Sequence, residues 1–142
     1  MLKEINYDRK KALEYAKKWA FKRNSKYLNF EKIGGDCTSY VSQCIYAGCG
    51  VMNYTPIYGW YYKSSYDRSP SWSGVEFLYN FLIDNKTTGP FGIESSIKDV
   101  EPADIIQLGN NDGQFYHNVI INKIEKNKIF VSAHSEDSYM RL

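Results

Sequence analysis

The chain has 142 residues, with 18 Lys and Arg against 16 Asp and Glu and a formal charge of +2. That length fits one domain, residues 1–142, able to bury a real core. Near-neutrality without a basic stripe excludes nucleic acid as the leading partner, and no apolar run is long enough to cross a membrane. Met1 to Ile5 lacks the apolar region of a secretion signal, so the chain reads as cytoplasmic, or as one domain of a longer secreted protein. Oligomeric state is left open. Aromatic residues are abundant: 13 Tyr, 7 Phe and 3 Trp. Such side chains, apolar on the ring and polar at the tip, suit either a ligand groove or a Tyr-rich core.

Asn6 or Asp8 to about Arg23 reads as an amphipathic helix. Ala12, Tyr15, Ala16, Trp19 and Ala20 form its inner stripe, and Lys10, Lys11, Lys17 and Lys18 its wet face. Asn24 to Ile33 is a connection that tucks Tyr27 and Phe30 against the core. Gly34 and Gly35 close that loop, and a second helix starts behind them. Asp36 is suited to cap it, its carboxylate accepting free N–H groups of the first turn. Cys37 then takes the first helical position. Tyr40, Val41, Cys44 and Ile45 follow at helical spacing on one apolar face, and Gly48 and Gly50 supply a stop. A thiol is thereby placed at the positive end of a buried helix, where the thiolate is favoured.

Residues 49 to 71 form a long loop carrying Tyr54, Tyr58, Trp60, Tyr61, Tyr62 and Tyr66. Loops of this length in compact domains are functional or disordered, and the aromatic density speaks against disorder. A helix follows over about Val75 to Asn85, with Phe77, Leu78, Phe81 and Leu82 inward, then a Gly-Pro turn near Pro90. The last third changes period. Residues 104–108, 116–124 and 129–134 are strands rich in Ile and Val, separated by Asn/Asp/Gly and Lys/Asn turns. Helices followed by an antiparallel meander make an α+β fold.

Two positions in the meander carry the chain's two histidines. His117 opens one strand and His134 ends the next. Counting outward from a turn at 126–127 sets His117 opposite about residue 136, and a shift of one pair brings His134 into its row. A helix-terminal thiol, a strand imidazole and a polar residue that orients it compose a nucleophilic triad. Cys37 would attack a carbonyl, His117 would take its proton and return it to the leaving amine, and the Cys37 N–H would face the oxyanion. Asp36, an anion beside the thiol, opposes this. A zinc site is the competing reading of Cys37, Cys44, Cys49, His117 and His134. The cysteines have six and four residues between them and form no two-residue knuckle, and Cys44 belongs to the buried face, so no metal is expected. Cys37 and Cys44 lie about 10 Å apart along a helix, too far for a disulfide. Cys49 reads as a loop thiol beyond the helix, without a role.

The residues then resemble a known family. Tyr7-Asp8-Arg9 with Ala12, Tyr15-Ala16 and Trp19-Ala20 is similar to the first helix of the putative amidase domain of Gram-positive bacteria, a branch of the papain-like NlpC/P60 and CHAP superfamily. Gly34 to Gly48 resembles its nucleophile motif. Trp60-Tyr61-Tyr62, Ser71-Trp72, Asp104 to Gln107, His117 before Val119-Ile120-Ile121, and Ser132-Ala133-His134 with Asp137 match in order. The resemblance implies N-terminal helices packed on a small antiparallel sheet, nucleophile Cys37, base His117, and His134 as third member with Asp137 as the alternative. It departs at Ser39, where the family has Asn, at Ala103, where it has Gly, and at Cys49, where it also has Gly.

The function implied is thiol-dependent hydrolysis of amide bonds, in peptides of the bacterial cell wall, without a cofactor. Asp36, Tyr58, Trp60, Tyr61 and Trp72 are the substrate-side candidates, the aromatics lining a groove or else capping the core beneath the long loop. An inactive binding module on the same scaffold and a thioester-forming acyltransferase are the alternatives.

Overall fold

Asp8 starts the first helix. Its carboxylate accepts the Lys11 N–H at 3.1 Å, filling one of the amide positions that a helix start leaves unpaired. The computed structural model describes residues 1–142, and in it α1 spans Arg9–Trp19. Ala12, Ala16 and Ala20 are fully buried, and the lysines named above are all exposed. The helix ends four residues before the expected Arg23. Arg23 is thereby released into the following turn, where it does other work.

α2 spans Cys37–Cys49. Gly50 ends it in the left-handed conformation (φ 73°), its N–H returning to the Tyr46 carbonyl at 2.8 Å. Gly48 is not the stop. It lies inside α2, where a Cβ would stand 2.4 Å from the Tyr7 ring and 2.8 Å from the Asp8 carbonyl. Its task is to let the start of α1 approach, and the Asp8 N–H donates to its carbonyl at 2.9 Å. Cys49 is correspondingly the last residue of α2 rather than a loop thiol.

The segment expected as loop holds a bridge between Asn53 and Trp60 and a short hairpin, β1 Tyr62–Ser64 with β2 Asp67–Arg68. A single-turn helix, α3 Pro70–Ser73, leads to α4 Val75–Asp84. Leu78 and Phe81 of α4 face inward, but Phe77 is exposed with its ring against Gly74.

Four antiparallel strands complete the chain in the order β3 Ile105–Gly109, β4 Phe115–Glu125, β5 Lys128–Ala133 and β6 Ser138–Arg141. The fold is mixed α+β, with helices and two small antiparallel sheets. β4 and β5 turn at Lys126 and Asn127, both at positive φ (50° and 65°), the conformation of a tight hairpin. From that turn Glu125 pairs Lys128, Ile124 pairs Ile129 and Lys123 pairs Phe130, but beyond a bulge Ile121 pairs Val131 and Ile120 pairs Ser132. Asn122 is the residue passed over. Its Oδ1 accepts from the Ser132 hydroxyl at 2.5 Å and the Met140 N–H at 3.1 Å, so the bulge is held by side-chain bonds.

α2 packs across the sheet. Tyr40, Val41, Cys44 and Ile45 share one core with Ile120 of β4, Trp60, Trp72, Leu78 and Phe81. Each fully buried Val, Ile or Leu there contributes about 1.5–3 kcal/mol. No helix is long and apolar enough to cross a membrane.

Candidate active site

Two glycines at positive φ, Gly34 at 96° and Gly35 at 104°, swing the chain into α2. Asp36 follows, 1 % exposed, and its carboxylate does not cap the helix. It is turned the other way. Oδ1 accepts the Phe30 N–H at 2.9 Å, Oδ2 lies 2.5 Å from Nδ1 of His134, and the Arg23 Nε stands 3.4 Å from Oδ2. The expectation of Asp36 as helix cap and substrate contact is therefore corrected: it ties the loop before Cys37 to β5 and to the end of α1.

His134 is the other half of that tie. It is 1 % exposed, stacked on Tyr40 with ring centroids 4.1 Å apart. Its Nε2 lies 2.6 Å from the Trp19 carbonyl. Both ring nitrogens are thus engaged, one with the Asp36 carboxyl group and one with the Trp19 carbonyl. No valence is left to orient a second imidazole. The bulge at Asn122 explains the misplacement. Continuing the observed register puts His134 opposite Asn118 and sets Ser135 opposite His117. Directly opposed residues share a face, so His134 turns with Asn118 toward α2.

Asp137 is likewise engaged. It receives two Arg23 hydrogen bonds, at 2.8 and 2.9 Å. Partial burial pushes its carboxyl up, but the Arg23 hydrogen bonds and charge outweigh this and hold it below the ordinary range. Arg23 also donates to Glu31 at 3.0 Å.

Cys37 is the first residue of α2 and 8 % exposed. Its Sγ lies 3.7 Å from the Thr38 hydroxyl, and no hydrogen bond joins it to His117. Thr38 in turn accepts from Nδ2 of Asn118 at 2.9 Å. This bond pins the start of α2 to the strand position next to His117. On the other side, the Ser135 hydroxyl accepts the Asp36 N–H at 3.2 Å. Adjacent strand residues face opposite ways, so His117 and Asn118 leave β4 on different sides. The His117 ring makes no hydrogen bond and is half-buried. Burial lowers its pKa from the usual 6.5, against an opposing pull from Glu136.

Asn118 and Thr38 escaped the sequence reading. Asn118 is fully buried, yet its Oδ1 has no partner. An unpaired buried polar group costs about 1–3 kcal/mol. The available signal was an amide set among apolar residues in an inward-facing strand.

The other cysteines are set apart by burial. It pushes the Cys44 thiol far up and raises that of Cys49, whose Sγ–H donates to the Val51 carbonyl at 3.3 Å. No group of three His, Cys, Asp or Glu side chains stands where it could hold a metal ion.

Of the two readings of these aromatics, groove or core cap, the burial of the rings favours the second. Trp60 and Trp72 are fully buried, Tyr61 is 8 % exposed, and the two indoles pack 4.9 Å apart. Trp60 Nε1 donates to the Ser42 hydroxyl, which donates to the Trp72 carbonyl. These rings fill the core beneath the loop, as apolar bulk there must. Of the four aromatic candidates, Tyr58 alone projects to solvent, at 82 % exposure. Two surface hollows lie elsewhere, one by Tyr15, Trp19 and Asn24, the other by Tyr27, Asn29 and Tyr62, and neither includes Cys37 or His117.

The site thus sets a buried cysteine at a helix start, on a helix packed against an antiparallel sheet with a histidine-bearing strand. The family model of the putative amidase domain matches residues 6–142, and the chain belongs to that family. It is 33 % identical over 141 residues to a Bacillus subtilis (strain 168) protein named "Uncharacterized protein YhbB". The match covers 96 % of this chain and 44 % of that protein, so the chain spans less than half of its relative's length. No solved structure matches.

Proposed function

We propose that this domain is a cysteine-dependent amidase that works through a Cys37 acyl-enzyme, with His117 as base. The observation that carries the proposal is the placement of Cys37: a thiol at the first position of a buried helix, in a domain of an amidase family. Free N–H groups and the positive helix end favour a developing anion at that point. The packing of α2 on the sheet that bears His117 supports the papain-like, NlpC/P60-like arrangement.

In the first half-reaction the Cys37 sulfur attacks the amide carbonyl while its proton passes to His117. The tetrahedral oxyanion faces the Cys37 N–H. The C–N bond then breaks, His117 returns the proton to the departing amine, and a thioester remains. In the second half-reaction His117 takes a proton from water, hydroxide equivalent adds to the thioester, and Cys37 leaves with the proton. For this the His117 ring, which leaves β4 on the side opposite Asn118, must reach the sulfur round the end of the strand, since the resting site holds no bond between them. Resting catalytic contacts are often longer than working ones. Cell-wall peptides are the substrate class we propose.

The test is hydrolysis of peptidoglycan stem peptides by the wild type and by Cys37→Ala. The variant should release no amine above background. Equal rates would remove Cys37 from the reaction. Acyl transfer to an added amine, in place of hydrolysis, would move the domain to the transferase reading.

A further inference from the structure

We infer that the Thr38 hydroxyl donates a hydrogen bond to the Cys37 sulfur and is fixed as a donor by Asn118. This rests on the reading of Cys37 as nucleophile and adds a second side chain that touches the reacting atom.

Thr38 Oγ1 has two neighbours, Asn118 Nδ2 at 2.9 Å and Cys37 Sγ at 3.7 Å. The amide can only donate through Nδ2, so the oxygen accepts there. One hydroxyl hydrogen remains, and Sγ is the partner in reach. Thr38 is 1 % exposed and Asn118 is fully buried, which keeps water from taking either place. The reverse amide orientation would leave an NH2 group, with two hydrogens, unpaired in the core. The observed one pairs one of those hydrogens with Thr38 and leaves the Oδ1 acceptor without a partner, and under-satisfied carbonyl oxygens are the commoner exception in folded proteins.

The unpaired oxygen is itself informative. Leucine has nearly the shape of asparagine and would bury no polar atom at this position. An amide that serves packing alone is therefore poorly chosen, whereas an amide that holds a hydroxyl hydrogen toward sulfur is well chosen. A sulfur anion accepts such a hydrogen bond more strongly than a neutral thiol does. Asn118 acts through Thr38 and is a positioning residue.

The test reads carbamidomethylation of Cys37 by iodoacetamide, followed by peptide mapping at pH 7 and pH 10, on proteins that melt cooperatively. It needs no substrate, so it is independent of whether amides are hydrolysed. Thr38→Val and Asn118→Leu should slow labelling at pH 7 about tenfold, and the rates should converge with wild type at pH 10, where free thiols ionise without help. Thr38→Ser keeps the hydroxyl and should retain most of the rate. Wild-type labelling at pH 7 in Thr38→Val, or equal slowing at both pH values, overturns the inference. If Asn118→Leu fails to fold, the Thr38→Val and Thr38→Ser pair decides the matter alone.

Discussion

At the scale of single residues, hydrogen-bonding capacity separates two histidines that look alike in sequence. His134 has both nitrogens spent, on Asp36 and on the Trp19 carbonyl. His117 has both free. Truncating one partner of a buried, hydrogen-bonded pair costs about 3–5 kcal/mol, so His134→Ala should lower unfolding free energy in denaturant by that order. A His134→Ala protein as stable as wild type, with turnover alone abolished, would return His134 to the catalytic group. For His117 the expectation concerns pH. Its pKa lies below the usual 6.5 because burial disfavours the imidazolium. The proposed base is competent above that pKa and lost as pH falls through it, so the acid limb of kcat/KM should lie below pH 6.5. A limb above that value would assign the titration to another group. Ser39, where the family has Asn, is fully buried and accepts from Gln43 Nε2 at 3.0 Å. Gln43 accepts from the Tyr15 hydroxyl at 2.6 Å, so this departure is absorbed inside the fold and leaves the site surface alone. Ala103, in place of Gly, sits at φ 75°, a conformation that costs an L-residue more than glycine.

Among the elements, those with strong periodicity were legible before the structure. The α2 face of Tyr40, Val41, Cys44 and Ile45, the three long strands and the 126–127 turn all follow from residue spacing. What spacing could not carry was anything decided across the chain. The bulge at Asn122 moves the register by one residue, and a one-residue change reverses which face a side chain takes. It put His134 against Tyr40 rather than beside His117. β6 was missed because Ser138–Arg141 is too short to show a period. Asp36 had the right chemistry for a cap, but His134, Phe30 and Arg23 compete for its carboxylate and win. Gly48 looked like a stop and is a contact. Gly48→Ala should cost about 1–3 kcal/mol, as overpacking does, because its Cβ would meet Asp8 backbone as well as the Tyr7 ring. Unchanged stability in that variant would mean that α1 and α2 can separate freely.

On the scale of the whole molecule, the loop before Cys37 is fastened by one ionic knot. Arg23 leaves the end of α1 to join Glu31, Asp36 and Asp137, and His134 closes the arrangement from β5. The loop before Cys37, the first helix and the far edge of the sheet therefore stand or fall together. Asp137 is held below its ordinary value of 3.8. A carboxyl depressed in the folded state stabilises above its unfolded pKa, and that contribution is lost as pH falls through the folded one. The melting temperature should thus be flat from pH 7 to about 5 and drop below about pH 4, with a shallower drop in Asp137→Asn. An equal drop in that variant would place the acid sensitivity elsewhere.

The reaction proposed for this molecule depends on a thioester at Cys37. Rapid acid quench of the wild type during turnover of a stem peptide, followed by mass spectrometry of the digest, tests it directly. The peptide containing Cys37 should carry the mass of the acyl half of the substrate, hydroxylamine should remove it, and the peptides containing Cys44 or Cys49 alone should stay unmodified. Amide hydrolysis that proceeds at full rate in Cys37→Ala, with no adduct on the wild-type Cys37 peptide, would contradict it.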